Sequence, residues 1–429
     1  MRRLLDYLIV RKKTLKELSV YAFQTYGVTL VSFVGAIITV RVLDRYEYGT
    51  YGIVFSIVGI VYTLLNAGIV RQVGNRILSS PLDDSERLLY MAYTKKGFFY
   101  TTLLGFILLP FFFFFYDPKT VIYIAVAFFV QHLTSFIALL FHSEIRERKL
   151  RTYYLFESLL EYSRVIMPIV GVLIFQNLAG YFAGSAFTVV VAMVLVFSFK
   201  HWRYKALHYL RTVWSATVSL KEITHLIRLG LSMSIESGAA TLYLSIFILM
   251  GASYLGVSQA AVLKVLAGYY AALGMSLLPL SRWVNFHLPK RIATSTHPFR
   301  ELLGLAGVTT AFIIVVYLAG VLVGPWLLPL VYGQRYVDAV PFIPWAGGWL
   351  VFSTMAIGLS AISRQYKLSF WNGVISLTNV ALGLIFIFSP FGPRSILSFS
   401  IFYSLWIIPA LIASYVLVYI RLQKKVDNA

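Results

Sequence analysis

Residues 302–324, LLGLAGVTTAFIIVVYLAGVLVG, contain no charged side chain. A helix needs about 20 apolar residues to cross the roughly 30 Å hydrocarbon core of a bilayer. A strand of a membrane barrel would be about ten residues long and would alternate apolar with polar side chains. The stretch is too long and too uniformly apolar for such a strand, so it predicts a membrane-spanning helix.

Eleven other stretches have the same character. The chain of 429 residues is 59% hydrophobic and 13% charged, whereas a soluble chain carries about 25% charged residues. The predicted fold class is therefore an all-α membrane protein with about 12 transmembrane helices. These helices are predicted at 18–40, 50–70, 97–116, 121–142, 155–176, 179–199, 229–249, 259–280, 302–324, 340–362, 369–390 and 396–420.

The first of these segments is expected to stay in the mature protein as an anchor. It is longer than the apolar core of a signal peptide, and no small-residue cleavage site precedes Arg41.

Basic residues predict the orientation of the chain in the membrane. Thirty of the 37 Lys and Arg fall in the two terminal stretches and in alternate loops, against five in the other loops. Because basic loops stay on the cytoplasmic side, both termini are predicted to be cytoplasmic, in the cytoplasmic (inner) membrane.

The net charge of +20 follows from this distribution, so we expect no nucleic-acid partner. Membrane lipid is the expected contact of the basic loops.

The longest loop, at about 200–228, divides the predicted helices into six and six. We therefore predict an N-terminal bundle at 1–200, a linker at 201–228 and a C-terminal bundle at 229–429. Apolar residues of the linker repeat at helical spacing between basic residues, which fits either a helix in the membrane interface or an ordinary connector.

Several kinds of chemistry have no residues to support them. The chain has no Cys, and its seven His show no spacing typical of metal ligands. The predicted external loops are short, and their acids are isolated. We expect no cofactor, no metal and no enzymatic activity.

Ionisable residues inside a predicted membrane helix are costly and usually face a cavity or a partner. Glu157, Glu161 and Arg164 lie in segment 155–176 at spacings of four and three, which places them on one helix face. They could form a polar wall at which Arg164 binds a phosphate. They could equally form an ion pair that joins this helix to a neighbour.

Two more helices carry an isolated charge. Glu236 lies in segment 229–249 next to small residues, where it could carry a proton or pair with a cation. Lys264 lies in segment 259–280, where it could bind a substrate or extend to the surface. Among the neutral polar residues, Gln24 is the one expected to line a cavity, whereas Asn372 and Asn379 are expected to hydrogen-bond between helices.

Two stretches, at 28–76 and 327–361, resemble the polysaccharide-biosynthesis (O-antigen) flippase family of the multidrug/oligosaccharidyl-lipid/polysaccharide exporter superfamily. The resemblance implies two six-helix bundles around a central cavity. It rests on an Arg-x-Leu and Tyr-Gly-x-Tyr pattern followed by a Gly turn, and on a second hallmark further along the chain. The matching residues are Arg41, Leu43, Tyr48, Gly49, Tyr51, Gly68 and Arg71, and then Leu330, Tyr332, Gly333, Tyr336 and Ala339.

The resemblance implies that the chain flips a lipid-linked (undecaprenyl-pyrophosphate) oligosaccharide to the outer leaflet by alternating access. Arg164 and Lys264, helped by Arg41 and Arg71, would then receive the pyrophosphate, with Gln24 on the cavity wall. It also implies a monomer that works with polysaccharide polymerase and glycosyltransferase machinery. The alternative is a cation-coupled exporter of small molecules, in which the acids Glu157, Glu161 and Glu236 would couple transport to an ion.

Overall fold

The computed structural model describes residues 27–66, 97–146, 150–198, 242–277, 297–366 and 368–427, with isolated positions in 203–215 and 284–295. Within these residues the secondary structure is helical throughout, and no β-strand occurs. Contacts divide the chain into two compact units. The first unit comprises Met1–Leu43 and Val70–Ser219, and the second unit comprises Asp44–Ile69 and Leu220–Ala429.

Five helices are described in the first unit: α1 (Gly27–Val42), α3 (Gly97–Phe114, ending in the 3-10 turns Leu109–Phe114), α4 (Pro118–Arg146), α5 (Leu150–Phe175) and α6 (Leu178–Ser198). The second unit begins with α2 (Arg45–Asn66), which the predicted limits assign to the first half of the chain. The limits of the two bundles and of the linker 201–228 stay predictions.

The other helices of the second unit follow the linker. They are α7 (Leu242–Leu255), α8 (Val257–Gly274, extended by Met275–Leu277), α9 (Pro298–Tyr332), α10 (Ile343–Ala346), α11 (Gly348–Met355), α12 (Leu359–Gln365), α13 (Ser369–Phe388), α14 (Ile396–Leu405) and α15 (Ile408–Asp427). A 3-10 segment, Gln334–Phe342, joins α9 to α10.

The prediction of an all-α membrane protein is confirmed. Eight helical stretches among the described residues are long and apolar enough to cross a bilayer, and α1 and α7 are shorter apolar helices. Each of the twelve predicted segments overlaps at least one described helix. The chain is therefore a multi-pass membrane protein.

Two predicted segments are not the continuous helices that their composition indicates. Segment 340–362 is divided into α10, α11 and α12, and Gly358 between the last two has a φ of 97° that favours glycine. Segment 396–420 is interrupted after Leu405, because Pro409 has no N–H to donate to the carbonyl of Leu405. Hydropathy measures apolar length and does not register these local breaks.

Glycines bring the backbones of α5 and α6 together in the first unit. A Cβ added to Gly171 would lie 2.1 Å from the carbonyl oxygen of Gly180, and one added to Gly184 would lie 2.2 Å from that of Met167. Small residues permit this close approach of membrane helices. The hydroxyl of Thr188 on α6 also donates to the carbonyl of Ser163 at 3.3 Å. This packing fixes the part of α5 that carries the predicted charged residues.

The second unit contains an equally close pair, α2 and α8. A Cβ on Gly49 would lie 2.1 Å from the carbonyl oxygen of Val257, and one on Gly52 would lie 2.8 Å from Cδ of Lys264. The facing residues Ala260 and Ala261 are fully buried. The small side chains therefore let Lys264 lie along the surface of α2.

Candidate functional site

The predicted charged face of α5 contains an ion pair. The guanidinium Nη1 of Arg164 contacts Oε1 of Glu161, one helical turn earlier. The side chains are 21% and 38% exposed, respectively. The Nε of Arg164 is buried and has no hydrogen-bond partner among the described residues. The pair is thus neutral as a whole but retains one donor that no group of the described residues satisfies.

The backbone beside this pair is also polar. Pro168 lies inside α5, four residues after Arg164. Since proline has no N–H, the carbonyl of Arg164 lacks its usual α-helical donor. Glu157 belongs to the same helix, but its side chain lies outside the described part. The middle of α5 therefore offers a guanidinium, a carboxylate and a backbone carbonyl within one turn.

Lys264 is the charged residue of α8 and lies about two turns from the start of that helix. It is half-buried, and its Nζ is 5.1 Å from the ring centroid of Tyr51 on α2. This distance permits a cation–π interaction. No carboxylate of the described residues is within ion-pair distance of the amine. Among the described residues, the positive charge is thus supported by an aromatic face and not by a carboxylate.

The two stretches that resemble the flippase family meet in the second unit. The rings of Tyr48 and Tyr336 lie edge to face with centroids 6.2 Å apart. Arg45 forms an ion pair with Asp338, and its Nε donates to the carbonyl of Ser258 at 3.1 Å. Three predicted external loops therefore converge at Arg45. Sequence analysis did not predict Arg45 as a site residue. Its position next to the Tyr-Gly-x-Tyr pattern was the feature that could have indicated it.

Of the other predicted binding residues, the structure describes Arg41 alone. Arg41 is exposed near the end of α1. Gln24, Arg71 and Glu236 lie outside the described residues. The structure thus describes the surroundings of Glu161, Arg164, Arg41 and Lys264, and their roles stay predictions.

Sequence analysis also did not anticipate a cavity of about 270 Å³ inside the second unit. Helices α7, α11, α13 and α15 and the turn before α12 form its wall. None of the described lining residues is charged. The polar ones are Tyr243, Ser353, Asn372, Ser376, Asn379 and Ser414.

The two asparagines of this wall make the expected contacts between helical segments. Nδ2 of Asn379 donates to the carbonyl of Trp406 at 2.9 Å, and Nε1 of Trp406 returns a bond to the carbonyl of Asn379 at 2.8 Å. Nδ2 of Asn372 donates to the hydroxyl of Ser363. The amide nitrogens are thus used within the protein, and both asparagines also line the cavity.

No family model and no curated protein matches the sequence. Solved structures do match the fold. An inward-facing multidrug resistance MATE family transporter of the MOP superfamily has a TM-score of 0.69 at 13% identity, over 92% of this chain and 95% of its own. An outward-facing MATE family structure has a TM-score of 0.55 at 12% identity, over 97% of both chains.

A lipid II flippase, MurJ, in an inward closed conformation has a TM-score of 0.56 at 14% identity, over 95% of this chain and 91% of its own. At these identities the similarity establishes the fold alone. The chain thus has a multi-pass helical membrane fold that is found both in multidrug transporters and in a lipid flippase.

Proposed function

We propose that the chain is a transporter of the MOP superfamily that flips an undecaprenyl-pyrophosphate-linked oligosaccharide from the cytoplasmic to the outer leaflet by alternating access. The observation that carries this proposal is Lys264, a cation inside a membrane helix with no carboxylate neighbour among the described residues. The fold of a lipid II flippase and the two hallmark stretches support the same class of substrate.

A protein that moves such a substrate must shelter its head group from hydrocarbon, because buried unpaired charges are prohibitively costly. A lysine ammonium can act as a point charge toward phosphate, and an arginine can offer a planar fork. Lys264 has its charge available. Arg164 would exchange Glu161 for the phosphate and would satisfy its buried Nε in doing so. Arg41, Arg71 and Gln24 are proposed to help along the path.

The membrane potential would favour outward movement of an anion, and proton or sodium antiport through Glu161 or Glu236 is the alternative source of energy. Two negative charges gain about 4.6 kcal/mol per 100 mV when they leave an inside-negative compartment, at about 2.3 kcal/mol for each charge. Each protein cation that moves with the head group reduces this gain. We further propose that the chain works as a monomer with both termini cytoplasmic, alongside polysaccharide polymerase and glycosyltransferase machinery.

A second candidate is a cation-coupled exporter of small molecules. Glu161 favours it, since its carboxylate is 38% exposed and lies within a membrane helix. In that function Glu161, with Glu157 and Glu236, would exchange an ion against the substrate. The two functions differ in the sign of the charge that the protein must bind.

Flipping of a fluorescent undecaprenyl-pyrophosphate oligosaccharide in proteoliposomes tests the proposal. We expect flipping by the wild type, and a loss of about 10–100-fold for Lys264→Ala, since a hydrogen bond to a charged group contributes about 1.5–3 kcal/mol. Arg164→Ala should also reduce flipping. Lys264→Arg should retain much of the activity, and Lys119→Ala, at an exposed residue in the first turn of α4, should match the wild type.

Wild-type proteoliposomes that do not flip the lipid, but release a cationic dye in a sodium- or proton-dependent manner, would instead establish the exporter. Normal flipping by a well-inserted Lys264→Ala variant would remove Lys264 from the binding path.

A further inference from the structure

Several hydrogen-bond donors in the wall of the cavity in the second unit are used within the protein. The hydroxyl of Tyr243 donates to the carbonyl of Tyr403 at 2.8 Å, and that of Ser353 donates to the carbonyl of Leu350 at 3.1 Å. The amide nitrogen of Asn379 is likewise used on a backbone carbonyl. Because these hydrogens point into the protein, the oxygen lone pairs are left for whatever occupies the cavity.

Asn372 is the described lining residue whose hydrogen-bonding capacity is least satisfied. Its side chain is 7% exposed, and Nδ2 is bonded to Ser363, but Oδ1 is buried without a partner among the described residues. A buried acceptor left unsatisfied costs about 1–3 kcal/mol. Ser376 and Asn379 follow at spacings of four and three, so all three polar side chains lie on one face of α13. A ligand that donates hydrogen bonds would satisfy this face.

Aromatic rings form another part of the wall. Trp349 stacks on Tyr403 with centroids 5.7 Å apart, and Tyr243 stacks on the same ring at 5.4 Å. The stack holds Trp349 and Tyr243 in place, and both line the cavity. Since no charged residue is among the described lining, an ion would lose its hydration without gaining a counterion. The wall instead matches an uncharged ligand with an apolar face and several hydroxyl groups.

The volume limits the ligand to a small group. Ligand pockets commonly measure about 300–1,000 Å³, and this cavity, at about 270 Å³, lies at the lower end. Trp349, Ser353 and Ser376 are half-buried rather than sealed, so the cavity has an opening.

We propose that this cavity binds one neutral hydroxylated ring, such as a hexose, whose hydroxyl groups hydrogen-bond to the polar side chains that line it. Identification of the ring as a unit of the transported glycan rests on the proposed function. A free sugar has the same chemistry, and binding itself does not depend on transport.

Binding of methyl hexosides to the full chain in detergent, measured by saturation-transfer NMR, tests this site. Ala410→Leu fills the cavity without altering a polar group, and Asn372→Leu removes the acceptor. Ala413→Leu is the matched control, because it lies one turn from Ala410 on α15 but does not line the cavity. We expect both cavity variants to bind at least tenfold more weakly, and the control to bind as the wild type does. Elution volume and thermal unfolding verify that each variant is folded.

Three outcomes would overturn the proposal. The first is that the wild type binds no hexoside, and the second is that Ala410→Leu binds hexosides as well as the wild type does. The third is that sodium, and no hexoside, stabilises the wild type against thermal unfolding, and that Ala410→Leu abolishes this stabilisation. Flipping assays on the same variants separate this site from the proposed function. Hexoside binding without flipping by the wild type would retain the site and reject the flippase. Flipping by the wild type and by a folded Ala410→Leu variant, without hexoside binding, would reject the site alone.

Discussion

Arg164 and Lys264 are cations inside membrane helices, but their surroundings differ. Arg164 has a carboxylate one turn away on its own helix, and its Nε has no hydrogen-bond partner in the described part of the chain. Lys264 has an aromatic face at 5.1 Å and no carboxylate among the described residues. An incoming anion would therefore displace Glu161 from Arg164, whereas it would find Lys264 available.

Gly49 is the residue at which the α2–α8 packing is most sensitive. A Cβ at this position would lie 2.1 Å from the carbonyl oxygen of Val257, a distance that only a shift of the backbone could relieve. We expect Gly49→Ala to lower the free energy of unfolding by about 1–3 kcal/mol, as overpacking commonly does. Denaturation in detergent, followed by tryptophan fluorescence, measures the change.

Gly304→Ala is the matched control for this prediction. Gly304 lies in a helix, as Gly49 does, but it is exposed. A Cβ added to Gly304 would have no atom within 4 Å. Alanine is favoured over glycine in a helix by about 0.5–1 kcal/mol, so this variant should be at least as stable as the wild type. Equal stability of the two variants would mean that α2 and α8 do not approach this closely.

Among the helices, α4 shows how a charged residue begins a membrane segment. Asp117 precedes Pro118 and accepts from the amide of Thr120 at 3.1 Å and from its hydroxyl at 2.5 Å. Partial burial disfavours the charged form, but these hydrogen bonds prevail and lower the pKa of the Asp117 carboxyl. The charge also lies at the positive end of the helix dipole.

We expect Asp117→Ala to destabilise the first turn of α4 by about 1 kcal/mol at neutral pH, the usual effect of losing a cap. A lowered pKa means that the stabilisation is complete above about pH 4 and is lost as the pH falls through the folded-state value. Hydrogen exchange at the amide of Thr120 should therefore be faster in the variant at pH 7, and the difference should shrink in acid. A difference that does not depend on pH would contradict this role.

Other helices show where composition is a poor guide to boundaries. The predicted segment 302–324 ends at the last residue before Pro325, yet α9 continues through Pro325 and Pro329 to Tyr332. The equally apolar segment 340–362 is instead broken into three helices. Two prolines therefore do not end α9, whereas the breaks in segment 340–362 fall at Gly347 and next to Gly358, whose φ is 97°.

For the whole molecule, the orientation in the membrane is open to a direct test because the chain has no native cysteine. Lys119 and His297 are both exposed, and they are predicted to lie on the external and cytoplasmic sides, respectively. A membrane-impermeant maleimide should label Lys119→Cys in right-side-out vesicles. It should label His297→Cys only after the vesicles are permeabilised.

The cysteine-free wild type supplies the background for this experiment. The opposite labelling pattern would mean that the protein lies in the membrane in the opposite orientation, and that the direction of the proposed flipping is reversed. Labelling of both positions in sealed vesicles would show that they share the outer side, against the predicted number of crossings between them.

The membrane fold and the approximate positions of its helices could be predicted from the order of residues, because the cost of placing polar groups in hydrocarbon depends mainly on local composition. The spacing of Glu161 and Arg164 likewise predicted one shared helix face, since helical periodicity is a local property. The same local information did not show that Arg45 joins three loops, that Tyr51 lies beside Lys264, or that Asn372 lines a cavity. These features depend on contacts between residues far apart in the chain, and packing of the helices alone brings such residues together.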